Sequence, residues 1–244
     1  MKKTKGIWGG GLLLLATCLP GCDVADVFPN AEPRERPITK ITDDYERHEY
    51  VPAARKTDIL REDFNDNRRG WPVVSGSNQY STRVIGGQLE IASWTSLRPQ
   101  NSIDLPDLKG TDNFEIEARI EVDYASRGYS GSGDALLWGS TATLGQWLYY
   151  GINNYSSEMA IGAYDGQRYQ ENNFPTSSPA VFYRDAYNTL LVRKVNNTCY
   201  YFLNGGLLTK RVAAPFYGSR IGFGADAYST VRVEFLRVSR LNLN

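Results

Sequence analysis

An aromatic run near the middle of the chain has the residue types and spacing most suited to molecular recognition. Residues 146–152 read Gln-Trp-Leu-Tyr-Tyr-Gly-Ile. In a β-strand, alternation places Leu148 and Tyr150 on one face, and it leaves Trp147 and Tyr149 pointing into a groove or solvent on the other. Because flat aromatic rings suit the apolar faces of sugar rings, the outward pair predicts a glycan-binding surface.

The residues that follow extend this surface. Tyr164 has the same orientation at the end of the next predicted strand, and Arg168 and Tyr169 come just after the Asp165-Gly166 turn. The predicted glycan-binding residues are therefore Trp147, Tyr149, Tyr164, Arg168 and Tyr169. The alternative is that these tyrosines only cover the outer face of a sheet, because aromatic residues favour strands in any case.

The histidine and cysteine content excludes several catalytic classes from the folded part. The only histidine, His48, precedes the predicted domain. Ser-His-Asp and Cys-His catalysis inside the domain, and any zinc site with two histidines, are therefore excluded. The domain keeps one cysteine, Cys199, within the apolar run Cys-Tyr-Tyr-Phe, which favours a small apolar filler in a strand over a nucleophile.

The charge balance argues against a nucleic-acid partner. Three of the 27 basic residues and none of the 27 acidic residues lie in the first five positions, so 24 basic residues face 27 acidic residues in the rest. Nucleic-acid and anionic-lipid surfaces require a basic balance or a cluster of Lys and Arg, and neither is present.

The N-terminal residues have the composition of an export signal. Met1 to Lys5 carries three lysines, and Ile7 to Leu19 is a run of thirteen mostly apolar residues. A membrane-spanning helix needs roughly 18 or more such residues. The following motif, Leu19-Pro20-Gly21-Cys22, resembles the lipobox of bacterial lipoprotein precursors. The resemblance implies a signal peptide over residues 1–21, acylation of Cys22 with chains such as palmitate, and attachment to the inner or outer membrane of a bacterial envelope.

Residues 22–58 are predicted to form a flexible, mostly extended linker behind the lipidated cysteine. The segment mixes acidic with basic side chains, contains four prolines and shows no sustained helical or strand period. The alternative is that Tyr45, Tyr50 and Val51 dock on the domain.

The period of the hydrophobic pattern changes to two from about residue 59 onwards. Residues 114–122 alternate apolar side chains with charged ones, which is typical of a strand with one buried face. Similar short runs recur between turn signals such as Gly86-Gly87, and two long stretches, 124–134 and 169–187, are predicted to be loops. About a dozen strands without a convincing helix predict an all-β fold, a single antiparallel two-sheet sandwich over residues 59–244.

Several short motifs follow one another along this domain. They are Glu62-Asp63-Phe64-Asn65-Asp66-Asn67, Gly70-Trp71, Gly87-Gln88-Leu89, Phe114-Glu115-Ile116-Glu117, Arg220-Ile221-Gly222-Phe223 and Val233-Glu234-Phe235-Leu236-Arg237-Val238. In this order they resemble bacterial concanavalin A-like jelly rolls of the lectin/glucanase, LamG type. The resemblance implies that the first and last strands are neighbours, and that the domain binds carbohydrate or protein, because glycoside hydrolases are a minority of such domains.

The resemblance also supplies a pattern against which catalysis is judged. Glucanases of this superfamily carry Glu-x-Asp-x-x-Glu on one strand, because a retaining mechanism needs two carboxyl groups about 5 Å apart. The nearest match joins Glu115, Glu117 and Glu121, but it lacks the central Asp and Arg119 interrupts it. The sequence therefore predicts that the domain is not an enzyme.

A structural calcium ion is the one cofactor that the resemblance suggests, because LamG-type domains often hold calcium near an edge of the sandwich. Asp63, Asp66 and Glu234, on or near the terminal strands, are the predicted ligands. Asp66 is equally well explained as a turn residue.

These inferences combine into a lipid-anchored protein of the bacterial cell envelope whose jelly roll binds a glycan without catalysis. Its predicted partners are a membrane, through Cys22, and a glycan. The alternatives are a structural domain that docks onto an envelope protein and, less favoured, a glycoside-processing enzyme.

Overall fold

The described part of the chain consists of fourteen β-strands joined by turns and by longer connections, the longest of them residues 63–79 between the first two strands. The computed structural model describes residues 51–124, 134–153, 158–175, 183 and 186–243. A short 3-10 turn, Ala53–Arg55, precedes the strands, which in chain order are β1 (Lys56–Glu62), β2 (Tyr80–Ile85), β3 (Gln88–Ser93), β4 (Gln100–Asp104), β5 (Phe114–Tyr124), β6 (Asp134–Ser140), β7 (Trp147–Asn153), β8 (Glu158–Tyr164), β9 (Tyr169–Pro175), β10 (Asn188–Val195), β11 (Thr198–Leu203), β12 (Gly206–Val212), β13 (Arg220–Gly224) and β14 (Ser229–Leu241). Within these ranges, no helix has the length and apolar character needed to cross a membrane.

The strands form two antiparallel sheets. The first sheet has the order β12-β11-β10-β5-β14-β3-β2, with β1 also paired to β14, and the second has the order β4-β13-β6-β7-β8-β9. This arrangement confirms the predicted antiparallel sandwich. The terminal strands β1 and β14 pair directly, from Lys56 opposite Leu241 to Glu62 opposite Leu236, as the family resemblance implies.

The period-two pattern explains why the sheets stack. On β5 the apolar residues Phe114, Ile116 and Ile120 are fully buried and belong to the core. From the second sheet, Leu136 and Tyr150 belong to the same core. Removing these apolar faces from water is the main favourable contribution to stacking two sheets.

A hydrogen bond through this core ties the sheets together. Tyr150 on β7 is fully buried, and its hydroxyl donates to the carbonyl oxygen of Phe202 on β11 at 3.1 Å. Burial raises the pKa of the Tyr150 hydroxyl well above its ordinary value, and the nearby Tyr201 raises it further. The hydroxyl therefore stays protonated and keeps donating to the Phe202 carbonyl. The hydrogen bond satisfies two polar groups that would be costly to bury unpaired.

The start of the described chain packs on the outer face of the first sheet. Val51 is fully buried and belongs to an apolar cluster with Tyr200, Phe202 and Leu241. Strand β1 begins at Lys56, inside the segment predicted as linker. Val51 thus docks on the domain, whereas Tyr45, Tyr50 and the predicted signal peptide and Cys22 lie outside the described residues.

The prediction of a loop over 169–187 is wrong at its start. Tyr169–Pro175 forms β9, the edge strand of the second sheet, which pairs with β8 from Tyr164 opposite Tyr169 to Glu158 opposite Pro175. The apolar period does not reveal this strand because most of its residues are polar, which is common for an edge that must not pair with other chains.

The outer face of the first sheet carries ion pairs. Glu115 on β5 lies 2.6 Å from Arg193 on β10, and both side chains are only 6% exposed. Lys56 contacts the other carboxylate oxygen of Glu115 at 2.5 Å. Further along β5, Glu121 and Arg232 form a wetter pair at 3.2 Å, with 23% and 30% of their side chains exposed.

The different burial of these two pairs predicts different costs of removal. Glu115→Ala leaves Arg193 without its buried counter-ion, so we expect the free energy of unfolding to fall by about 3–5 kcal/mol. Glu121→Ala, the matched control, removes a partly solvated pair and should cost less than about 1 kcal/mol. Urea denaturation of both variants measures the difference, and equal costs would contradict this account.

Candidate functional site

Four aromatic rings meet on the face of the second sheet that points away from the core. Trp147 on β7 is directly opposite Tyr164 on β8, which in turn is opposite Tyr169 on β9. The ring centroids are 4.5 Å apart between Trp147 and Tyr164 and 4.8 Å apart between Tyr164 and Tyr169. Tyr149 meets Tyr169 edge-on at 6.0 Å. We call these four residues the aromatic cluster. They are four of the five predicted glycan-binding residues.

The burial of the aromatic cluster corrects the predicted open platform. Trp147 and Tyr149 do point away from the core, but they are only 7% and 2% exposed. Tyr169 is 48% exposed. The reason is that β9 forms an edge strand that brings the Tyr169 ring against both of them, which the predicted loop did not allow for. The part of the cluster that is open to a ligand is therefore Tyr169 rather than Trp147.

A hydrogen bond across β8 fixes the orientation of Tyr149. Its hydroxyl donates to Glu171 Oε2 on β9 at 2.7 Å. Burial, and then the hydrogen bond and charge of Glu171, raise the pKa of the Tyr149 hydroxyl well above its ordinary value, so it remains a donor. Gly162 lies between the two strands, where a Cβ atom would come within 2.7 Å of the Tyr149 hydroxyl oxygen. The glycine is thus required for the close approach of the ring.

An ion pair between a half-exposed arginine and a buried carboxylate lies beside the exposed ring. Asp226, which follows β13, is fully buried, and Arg98, which precedes β4, contacts its Oδ1 through Nε at 2.7 Å. Burial raises the pKa of the Tyr169 hydroxyl, while the charge and hydrogen bond of Arg98 act in the opposite direction. A cavity of about 20 Å³, room for about one water molecule, is lined by Arg98, Gln100, Tyr149 and Tyr169 among others.

Arg98, Gln100 and Asp226 are the site residues that sequence reasoning missed. They become neighbours because β4 and β13 pair, with Gln100 opposite Gly224. No local pattern signals this long-range contact. The remaining predicted residue, Arg168, stands apart: its side chain is 79% exposed and faces Asp165 within the turn, at 3.6 Å.

The glutamates weighed for catalysis lie on the other sheet. Glu115 is held by Arg193 and Lys56, and Glu117 is 3.8 Å from Arg237. Burial, and then the charge of Glu115, raise the pKa of Glu117. These carboxylates belong to the ion pairs on the outer face of the first sheet, on the opposite side of the sandwich from the aromatic cluster.

Of the predicted calcium ligands, Asp63 and Asp66 line one surface cavity that follows β1, whereas Glu234 belongs to an ion pair on β14. Asp66 accepts hydrogen bonds from the backbone N–H and the guanidinium of Arg68, which is the behaviour of a turn residue. Glu234 pairs with Arg119 at 2.9 Å. In the part of the chain that the structure describes, no group of three or more His, Cys, Asp and Glu side chains is arranged to hold a metal ion.

Comparison with known proteins places the fold among concanavalin A-like sandwiches. No protein-family model matches the chain, and no curated protein matches it. An endo-β-1,3-glucanase from Pyrococcus furiosus is similar in structure, with a TM-score of 0.53 at 10% identity over 76% of this chain and 95% of that one. The Bacillus licheniformis β-glucanase is similar with a TM-score of 0.51 at 11% identity, over 73% of this chain and 96% of that one. The exoplasmic/lumenal domain of VIP36, in a Ca²⁺/Man-bound form, is similar with a TM-score of 0.52 at 12% identity, over 71% of this chain and 84% of that one.

These similarities contradict the prediction that the domain is not an enzyme. Two of the three structures named above are glucanases, so this fold supports catalysis as well as binding. The incomplete Glu-x-Asp-x-x-Glu match on β5 is no argument against an enzyme either, because those glutamates face away from the aromatic cluster. At identities this low the likeness establishes the fold alone, and the site must decide the activity.

The close approach at Gly162 generates a test of the site's geometry. Gly162→Ala places a Cβ atom against Tyr149 and the backbone of β9, so we expect the free energy of unfolding to fall by about 1–3 kcal/mol. In the control, Gly145→Ala, the Cβ meets only the hydroxyl oxygens of Thr143 at 3.4 Å and Thr141 at 3.8 Å, so stability should change by less than about 0.5 kcal/mol. Thermal unfolding followed by near-UV circular dichroism measures both, and a neutral Gly162→Ala would contradict the packing.

Proposed function

We propose that this chain is a lipid-anchored cell-envelope protein whose sandwich domain binds a glycan at the aromatic cluster. One observation carries the proposal: the half-exposed ring of Tyr169 lies on three other aromatic rings, directly beside the guanidinium of Arg98. An aromatic face supplies stacking area for a sugar ring, and adjacent polar groups orient its hydroxyls.

Each element of this surface has a physical role in the proposal. Tyr164 and Trp147 support the Tyr169 ring from the neighbouring strands, so the ring is ordered before a sugar arrives and little side-chain entropy is lost on binding. Arg98 and Gln100 line the small cavity beside the ring and supply donors for sugar hydroxyls.

The charge state of Arg98 favours a neutral glycan. Its guanidinium already has a counter-ion, because Asp226 lies fully buried at 2.7 Å. An acidic sugar would compete with Asp226 for the same cation, and leaving a buried carboxylate unpaired is costly. Neutral hexose polymers are therefore the preferred class, in keeping with the glucanases of the same fold and with the mannose-bound form of VIP36.

Val51 and the aromatic cluster lie on opposite outer faces of the sandwich. The chain enters the domain on the outer face of the first sheet, where Val51 packs with Tyr200 and Phe202. The aromatic cluster lies on the outer face of the second sheet. The described chain therefore begins on the face of the sandwich opposite the aromatic cluster.

A glycoside hydrolase acting at the same face is the second candidate. Two carboxylates flank the aromatic cluster: Glu171, which accepts from Tyr149, and Asp226, which accepts from Arg98. Release of reducing ends from laminarin by the purified protein, and its loss in Glu171→Gln, would identify an enzyme. Binding without release identifies a recognition module.

Glycan recognition predicts a specific loss of affinity at Tyr169. On a glycan array, and by titration calorimetry with the best neutral glycan, Tyr169→Ala should weaken binding by about tenfold, or about 1.4 kcal/mol. Tyr183→Ala is the matched control, because Tyr183 is 46% exposed but is not part of the aromatic cluster. Equal affinities for both variants would contradict the site, and no binding to any glycan would favour a protein-docking role.

The anchor predicts a change of cellular fraction. Cys22→Ser removes the only thiol available for acylation at the lipobox-like motif, so the protein should move from the membrane fraction to the soluble fraction. Immunoblots of separated fractions measure this, with Cys199→Ser as the control that stays on the membrane. A Cys22→Ser protein that remains membrane-bound would overturn the anchor.

A further inference from the structure

A large cavity lies between the two sheets, on the opposite side of the second sheet from the aromatic cluster. It is a cleft of about 690 Å³ at the open side of the sandwich, where β9 and β12 are the edge strands. Ligand cavities of proteins typically have volumes of roughly 300–1,000 Å³. The cleft is therefore large enough for a small organic molecule, and the proposed glycan-binding function does not use it.

The apolar part of the cleft lining comes from both sheets. Phe114 contributes from the first sheet, while Trp138, Leu148 and Ile161 contribute from the second. Phe216, from the connection between β12 and β13, packs against Phe114 with ring centroids 5.6 Å apart. An apolar ligand body would replace water along these walls, which is favourable in proportion to the area covered.

Cationic side chains also line the cleft. Lys194, on β10, is only 6% exposed, and its Nζ donates to the carbonyl oxygen of Asp112 at 2.9 Å. Burial lowers the pKa of Lys194, whereas the neighbouring Cys199 and Asp112 act in the opposite direction. A lysine is rarely buried unless a partner compensates the charge, and a carbonyl oxygen carries only a partial negative charge.

The mouth of the cleft adds two further cations and one acid. Arg211 on β12 reaches across to the second sheet, where it donates to the carbonyl oxygen of Ile161 at 3.3 Å and to the amide oxygen of Asn172 at 2.8 Å. Lys210 is exposed beside it, and Glu171 is the one acidic lining residue among those described. Three cationic side chains and one carboxylate give the cleft lining a net positive charge, although the whole chain is formally neutral.

A buried donor in the cleft wall has no partner. Trp138 is 1% exposed, and its indole Nε1–H makes no hydrogen bond within the described part of the chain. A buried N–H without an acceptor costs about 1–3 kcal/mol.

We propose that the cleft between β9 and β12 binds a small amphiphilic carboxylate, an apolar chain or ring that ends in a carboxylate group. Its apolar body lies along Leu148, Ile161 and Phe216. Its carboxylate is attracted by Lys194 and by the cations at the mouth.

Isothermal titration of the purified protein with sodium decanoate, below its micelle concentration, tests this proposal. Decanoate should bind with one-to-one stoichiometry, acetate should not bind measurably, and 1-decanol should bind at least about tenfold more weakly than decanoate. Lys194→Met should weaken decanoate binding by at least about tenfold, because a charge-assisted hydrogen bond is lost while side-chain length is kept. Lys109→Met, which removes an exposed lysine outside the cleft, is the matched control and should bind as the unmodified protein does.

A second variant keeps the test decisive if Lys194→Met folds poorly. Ala163, on β8, lines the cleft, and Ala163→Phe fills it with a ring and should abolish decanoate binding. Absence of decanoate binding to the unmodified protein, equal affinity for decanol, or unchanged binding in Ala163→Phe would each overturn the proposal. Glycan binding measured on the same variants should be unchanged, so failure of this proposal is distinguishable from failure of the glycan site.

Discussion

The hydrogen bond from the Tyr150 hydroxyl to the Phe202 carbonyl fixes the phase of the strand on which the candidate site depends. Because Tyr150 is buried between the sheets, its neighbours Trp147 and Tyr149 must face away from the core. A slip of one residue in β7 would reverse its side chains, turning Trp147 and Tyr149 into the core and Leu148 out of it. The same strand thus stabilises the sandwich on one face and builds the aromatic cluster on the other.

The alternation of side chains was sufficient to predict the fold and the composition of each face of β5 and β7, because a buried strand face must be apolar. The pattern could not predict β9, whose polar residues carry no apolar period, and so it could not show that Tyr169 covers Trp147. Arg98 and Asp226 meet only through the pairing of β4 with β13, far apart in the sequence. Among the predicted calcium ligands, Glu234 pairs with Arg119, far away in the sequence, which no local pattern shows, whereas Asp66 bonds to Arg68 within its own turn.

The two proposed sites share a boundary in the second sheet. Glu171 accepts from Tyr149 on the aromatic side, and it also lines the cleft between the sheets. Arg211 at the mouth of the cleft lowers the pKa of Tyr149 through its charge, against the larger effects of burial and Glu171. The outward face of the second sheet suits a neutral polymer of sugar rings, whereas the inter-sheet cleft suits a smaller, charged and apolar molecule. One fold thereby offers two chemically distinct surfaces on a protein that we place at a membrane.

Indole N–H signals in nitrogen-15 NMR spectra test the central claim most directly, because the domain carries its own internal reference. Trp147 belongs to the aromatic cluster, whereas Trp71 is fully buried beside Phe64 and donates its indole N–H to Glu62 at 3.1 Å. Titration with a neutral glycan that the protein binds should shift the Trp147 signal and leave the Trp71 signal in place. A bound glycan that leaves the Trp147 signal unmoved would contradict glycan recognition at the aromatic cluster.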